Sequence, residues 1–207
     1  MLKYRIRNSE VTKQKILGAA LRNFADKGLY GARVDEISEI SGINKRMIYA
    51  YFGSKEKLYV AVLEKVYASM AIDEQQLLNI DMTPEDTVVA IIEHYFRWLS
   101  INPDFVRMVM WENLNYAECF RNSEAPKSKG VAIDLLRKKI LQGIEEGIFR
   151  EDINIDETVM SINLVCFSYF SNIYTMALLM DKDLGGEDKK SSRIKHLTTM
   201  VLRHLKK

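Results

Sequence analysis

The chain has 207 residues, 47% of them hydrophobic and 28% charged, proportions that suit a folded chain with a real core and exclude wholesale disorder. Three prolines and ten glycines punctuate that length too sparsely for a strand-rich fold, so an all-α class built from long helices is expected. The net charge of +2 is unevenly divided: residues 1–57 hold 12 Lys and Arg against 6 Asp and Glu, a net of +6, and the rest holds 18 against 22, a net of −4.

Ser9 is placed to cap a first helix, in which Ile16, Leu17, Ala20, Leu21 and Phe24 recur at helical spacing and which Gly28 stops. Val34, Ile37 and Ile40 line a short second helix ended by Ser41-Gly42, and a third runs from Asn44 to Phe52. After Gly53, Ser54 caps a long fourth helix through Leu58, Val62 and Val66 toward Leu78. Thr83-Pro84 and Asn102-Pro103 each set a capping residue before a proline, which opens a fifth and a sixth helix. Residues 122–129 read as a polar loop, followed by an amphipathic stripe of Ile133, Leu136, Ile140 and Ile144 that closes near Gly147. Asn154 with Glu157 resembles a capping box for a helix to about Met180, and beyond Gly185-Gly186 a last helix carries Ile194, Leu197, Val201 and Leu205. The expectation is about nine helices: a three-helix head over residues 1–53, joined to a helical bundle over 54–207.

Cys119 and Cys166 make neither a disulfide framework nor a metal knuckle, and no run approaches the roughly 18 apolar residues of a membrane span. The segment around Lys3, Arg5 and Arg7 lacks the apolar core of a signal peptide. A cytoplasmic chain with no membrane partner is expected. Excess positive charge confined to the head is an electrostatic footprint for phosphates, or simply a solvated face.

Spacing separates those two readings. A helix-turn-helix needs a small residue on its support helix and a glycine in its turn, and Ser38 and Gly42 meet both demands between Ile37, Ile43, Ile48 and Phe52. The wider pattern is Phe24-Ala25-Asp26-Lys27-Gly28, then Val34-Asp35-Glu36-Ile37-Ser38, Ser41-Gly42-Ile43-Asn44, and Tyr49-Ala50-Tyr51-Phe52-Gly53-Ser54-Lys55-Glu56-Lys57-Leu58. Over residues 10 to 60 it resembles the tetracycline-repressor (TetR) family of transcription regulators.

The resemblance implies that the N-terminal end of the third helix enters the DNA major groove. Asn44 stands at that end. Lys45 and Arg46 carry donors for guanine edges or phosphates, Met47 suits a thymine methyl, and Tyr49 a base or the backbone. Tyr51 matches the family's phosphate-contacting position, and Lys55, unfavourable for the dipole in the first turn of the fourth helix, is either placed there by a nearby phosphate or is a tolerated surface lysine. The family's capping Thr or Ser before the support helix is replaced here by Ala32-Arg33. Arg33 either supplies the missing phosphate contact or is a solvated arginine, and the basic arm at Lys3, Arg5 and Arg7 is either a minor-groove reader or a tail.

The resemblance further implies a repressor whose C-terminal half encloses a small-molecule effector and forms a homodimer. Tyr95, Trp98, Leu99, Met108, Trp111, Glu112, Asn115, Tyr116, Cys166, Tyr169 and Phe170 are the candidate pocket, suited to a hydrophobic or aromatic ligand, with core packing as the competing role of each. The seam of the last helix, with Val159, Ile162 and Ile173, would pair across a twofold axis. The alternative is a dimeric regulator without a ligand, its C-terminal half a dimerisation or protein-interaction module. An enzyme is not expected: Glu112, His94 and Cys166 lack a catalytic spacing, and the chain has no phosphate loop or nucleophile elbow. His94, His196 and His204 have no metal-site spacing, and no metal or cofactor is implied.

Overall fold

The structure is a computed structural model that describes the backbone of residues 2–75, 77, 81–127 and 131–206, and the side chains of those segments from residue 9 onward except 131. The basic-arm side chains Lys3, Arg5 and Arg7, and the expected end of the fourth helix at Leu78, lie outside it. In chain order the helices are α1 (Leu2–Gly31), α2 (Val34–Ser41), α3 (Lys45–Phe52), α4 (Lys55–Glu74), α5 (Pro84–Ile101), α6 (Pro103–Leu114), α7 (Glu118–Arg121), α8 (Val131–Glu145), α9 (Ile155–Ser171), α10 (Ile173–Leu179) and α11 (Glu187–Leu205). Among the described residues there is no β-strand beyond an isolated bridge of Phe149 with Lys206.

The helices group into two compact units, residues 1–69 with 104–128 and residues 70–103 with 129–207. The first holds α1, α2, α3, most of α4, α6 and α7. Its core surrounds Ile16, Ala20, Phe24, Ile37, Ile48, Leu58 and Leu63, and the rings of Phe24 and Tyr59 meet edge to face at 5.0 Å, a pairing that contributes about 1 kcal/mol beyond its buried area. Packing therefore does not follow the functional division expected at residue 53. Met108 of α6, 55 residues past that division in sequence, is wholly buried in the same core.

Helix α1 explains how α6 is seated. It starts at Leu2 and passes through Ser9, which therefore is not its cap, and it kinks at Gly28, whose φ of 66° only glycine adopts cheaply. The indole N–H of Trp111 donates to the Ala25 carbonyl at 3.1 Å. Arg107 pairs with Asp26 nearby.

In the second unit α5 is the central element, packed by α8, α9 and α11. Its buried residues include Val88, Ile91, Ile92, Tyr95, Phe96, Trp98 and Leu99, which leaves little of its circumference polar, as a core helix requires. The helix expected to run from Asn154 to Met180 instead breaks at Asn172, whose amide N–H groups go to the Ser168 carbonyl and the Ser171 hydroxyl. Helices α9 and α10 are bent by 74° there, and among the described residues no single helix is long and apolar enough to cross a membrane.

An alanine Cβ at position 28 would stand 2.8 Å from Trp111 Cδ2 at a backbone angle hostile to L-residues. Gly28→Ala is expected to lower the free energy of unfolding by about 1 to 3 kcal/mol, read from the urea midpoint; an unchanged midpoint would show that Trp111 does not rest there.

Candidate functional site

The turn between α2 and α3 is stitched by its own serines. Gly42 takes the left-handed conformation at φ 68° that ends α2. Ser38 Oγ donates to the Ile43 carbonyl at 2.7 Å, and Ser41 Oγ accepts from the Ile43 N–H at 3.2 Å. Sequence reasoning gave Ser38 only the role of being small; its hydrogen bond to the turn was not legible from spacing. Ile37 and Ile48 are buried beneath, so the two helices share one apolar seat.

This arrangement exposes one edge. Asn44, Lys45, Arg46, Met47 and Tyr49 are exposed, Met47 and Tyr49 each to 39%, while Ile48 faces the core. Asn44 caps α3, its side-chain oxygen accepting the Met47 N–H at 2.9 Å. Lys45 is held by Asp35 of α2 at 2.8 Å, and the hydrogen bond to that carboxylate raises its pKa, keeping the ammonium charged. Glu36 accepts from Asn23 at 2.8 Å and from Lys27 at 2.7 Å, contacts that lower its pKa and tie α2 to α1. Two acids of the support helix are thereby engaged by cations, and Arg46 remains exposed beside Lys45.

At the flank, Arg33 is exposed and extended at the start of α2 and makes no side-chain cap, so the missing hydroxyl is not replaced there. Lys55 Nζ donates to the Ala32 carbonyl at 3.2 Å, two residues before α2 begins. Tyr51 and Lys55 are half-buried. Ser54 caps α4 by accepting from the Lys57 N–H at 3.2 Å, as its position predicts.

The eleven candidate pocket residues fall into both units. Tyr95, Trp98, Leu99 and Cys166 are buried in the second, and burial pushes the Cys166 thiol up to about 12. Tyr169 and Phe170 are half-buried there and touch Phe96, with ring centroids 5.3 Å away in each case. The other five belong to the first unit. Met108 fills its core, Trp111 is bonded to Ala25, and Glu112 accepts the Phe120 N–H at 2.8 Å. Burial, with the Glu112 charge added, raises the Tyr59 pKa. Asn115 donates to the Trp111 carbonyl at 2.7 Å, and Tyr116 is 87% exposed on a turn with positive φ.

The apolar seam is also divided. Val159, Ile162, Leu197 and Leu205 are buried within the unit, which removes them from any contact with a second subunit. Among the described residues of these helices the exposed apolar side chains include Met160 and Leu164 on the opposite stripe of α9, Tyr174, Met176, Leu178 and Leu179 on α10, and Met200 on α11. A cavity of about 430 Å³ opens between α5, α9 and α11, with Ile162, Val165, Cys166 and Leu197 in its walls. Among the described residues no group of three His, Cys, Asp or Glu could hold a metal ion.

Residues 16–62 match the model of the bacterial regulatory proteins of the tetR family, and residues 84–201 match the tetracyclin repressor-like C-terminal domain. The chain is 33% identical over 205 residues to the HTH-type transcriptional repressor NicS of Pseudomonas putida, covering 98% of this chain and 96% of that protein. Its fold is similar to that of a putative transcriptional regulator from Streptomyces coelicolor, with a TM-score of 0.65, 26% identity, and 94% and 98% of the two chains covered. It is also similar to that of the regulator FadR from Bacillus subtilis in complex with stearoyl-CoA, with a TM-score of 0.67, 17% identity, and 93% and 98% covered.

Replacing Asn44 by Ala removes the cap of the exposed helix and is expected to cost about 1 kcal/mol of stability, whereas Asn44→Ser keeps an acceptor and most of that stability. Urea unfolding of both variants checks this; equal losses would show that the cap is not what Asn44 contributes.

Proposed function

The chain belongs to the tetR family of bacterial regulatory proteins and is a DNA-binding transcriptional regulator rather than an enzyme; we propose that it is a homodimeric repressor that a small hydrophobic or aromatic effector releases from its operator. The observation that carries the reading is the edge from Asn44 to Tyr49, polar and exposed on a helix whose opposite side is locked into the core.

In this reading α3 lies in the major groove. Arg46, exposed beside an ammonium already held by Asp35, is the side chain suited to a guanine, and Met47 to a thymine methyl. Tyr51, Lys55 and Arg33 flank the edge and take phosphates. Lys55 keeps its bond to Ala32 as the anchor of α2, so its contribution to stability and to DNA affinity are separate quantities. Repression is supported by the similar repressor from Pseudomonas putida.

One head reads half an operator, and the exposed Met160, Leu164, Tyr174, Leu178, Leu179 and Met200 are the surface through which a second copy completes it. For the effector, Tyr95, Trp98, Leu99, Cys166, Tyr169 and Phe170 supply the aromatic and apolar lining. Two covalent paths serve coupling: α4 continues from the head past residue 69, and only Asn102 separates α5 from α6. An effector that shifts α5 draws on α6, which Trp111 and Arg107 fasten to α1, and the population with both heads one DNA turn apart falls.

Selection from random duplexes is expected to enrich a pseudopalindrome with half-sites about one helical turn apart, bound by two subunits; no enrichment, or one subunit per site, contradicts the reading. On that operator Lys55→Ala is expected to flatten the slope of log K against log salt by about 0.9, one released counterion. Arg46→Ala is expected to cost about 1 to 3 kcal/mol and to relax preference at one base pair. Leu164→Asp, which sets a charge in the proposed subunit surface, is expected to turn the dimer into a folded monomer by sedimentation and to weaken operator binding; an unchanged dimer would move the interface elsewhere.

A further inference from the structure

Between the elbow of α9 and α10 and the first turns of α11 lies a second cavity, of about 730 Å³. Tyr169, Met176, Met180 and Leu184 give it apolar walls, and Arg193 stands in it. The Tyr169 hydroxyl donates to the Leu184 carbonyl at 2.7 Å, which pins the 180–186 loop as one wall.

Arg193 is the unusual member. Its Nε is buried and makes no hydrogen bond, and among the described residues no carboxylate stands within ion-pairing distance of its guanidinium. The acids that precede it are engaged elsewhere: Asp188 pairs with Lys189 at 2.8 Å, Glu187 with Lys190 at 2.6 Å, and Asp183 accepts the Gly185 N–H at 2.8 Å. The Lys182 ammonium and the His196 imidazole are exposed at the cavity. A buried N–H donor without a partner is costly, and a guanidinium cannot shed its charge to avoid that cost. The side chain as a whole is half-buried, and a planar anion in the cavity would balance its charge by accepting from the outer N–H groups of the guanidinium.

We propose that this cavity binds a small monocarboxylate with a flat apolar body, the carboxylate on Arg193 and the body against Tyr169, Met176 and Met180. One guanidinium fork matches one carboxylate, the walls match an aromatic or aliphatic body, and the volume is that of an ordinary ligand site. The site shares only Tyr169 with the effector lining named above, and rests on the effector reading only for its effect on DNA.

The test titrates the full chain by calorimetry with 2-naphthoate and with 2-naphthamide, which has the same shape without the charge. Naphthoate is expected to bind at least tenfold more tightly than the amide. Arg193→Met is expected to abolish that preference, Arg193→Lys to retain part of it, and Met180→Trp, which fills the cavity without touching the charge, to lose both probes. Equal binding of acid and amide, or naphthoate binding undiminished in a folded Arg193→Met chain, overturns the proposal. So does a result in which naphthoate does not bind and Arg193→Met breaks the dimer, because the partner of Arg193 is then a carboxylate of a second copy. Operator affinity measured with naphthoate separates the two readings: binding without release supports the site and counts against effector control through it, and absence of binding removes the site while leaving control by another ligand intact.

Discussion

An eight-residue helix has too few internal hydrogen bonds to persist in water, so the exposed edge from Asn44 to Tyr49 exists only because α3 is held from outside. Three constraints hold it. The Asn44 side chain closes its N-terminus, Ile48 is sunk in the core beside Ile37, and the Gly42 turn, fastened by Ser38 and Ser41, sets its angle to α2. A reading surface must present side chains without letting their backbone move. Every polar residue of the turn is therefore spent on the turn itself, and the residues left exposed are those that a base or a phosphate can use.

The same economy runs through the rest of the head. Helix α2 has no capping hydroxyl, and the lysine at the start of α4 holds the chain just before it by donating to the Ala32 carbonyl. The kink at Gly28 leaves room for an indole, and Trp111 occupies it with its N–H on the Ala25 carbonyl. Helix α6 is consequently a structural part of the head, although its sequence neighbour α5 is the centre of the other unit. Only Asn102 separates α5 from α6 in sequence, a short covalent route for the proposed release.

Much of this was legible in the sequence wherever the cause is local. The caps at Ser54, Thr83 and Asn154 and the Gly42 turn depend on neighbours a few positions away, and each stands as the spacing implies. What escaped depends on distant partners. Nothing near Trp111 announces that its indole meets Ala25, 86 residues earlier, so it stands among the pocket candidates in sequence, with core packing as its competing role. Helix α9 is apolar on two stripes, and the pattern cannot say which turns inward. Packing on α5 chose Val159 and Ile162 and left Met160 and Leu164 outside. The break at Asn172 was hidden because an asparagine between apolar residues reads as part of a continuing helix until its amide is seen closing the last turn.

The central claim is that two copies of the Asn44–Tyr49 edge occupy the major groove on one side of a DNA duplex. Dimethyl sulfate methylates guanine N7, which lies in the major groove, so its protection on the selected operator reports that occupancy directly. The account predicts two protected patches centred about one helical turn apart, both lost when Arg46 and Met47 are replaced together by alanine in a chain that still folds. Protection confined to one patch, or two patches that survive the double replacement, would contradict it.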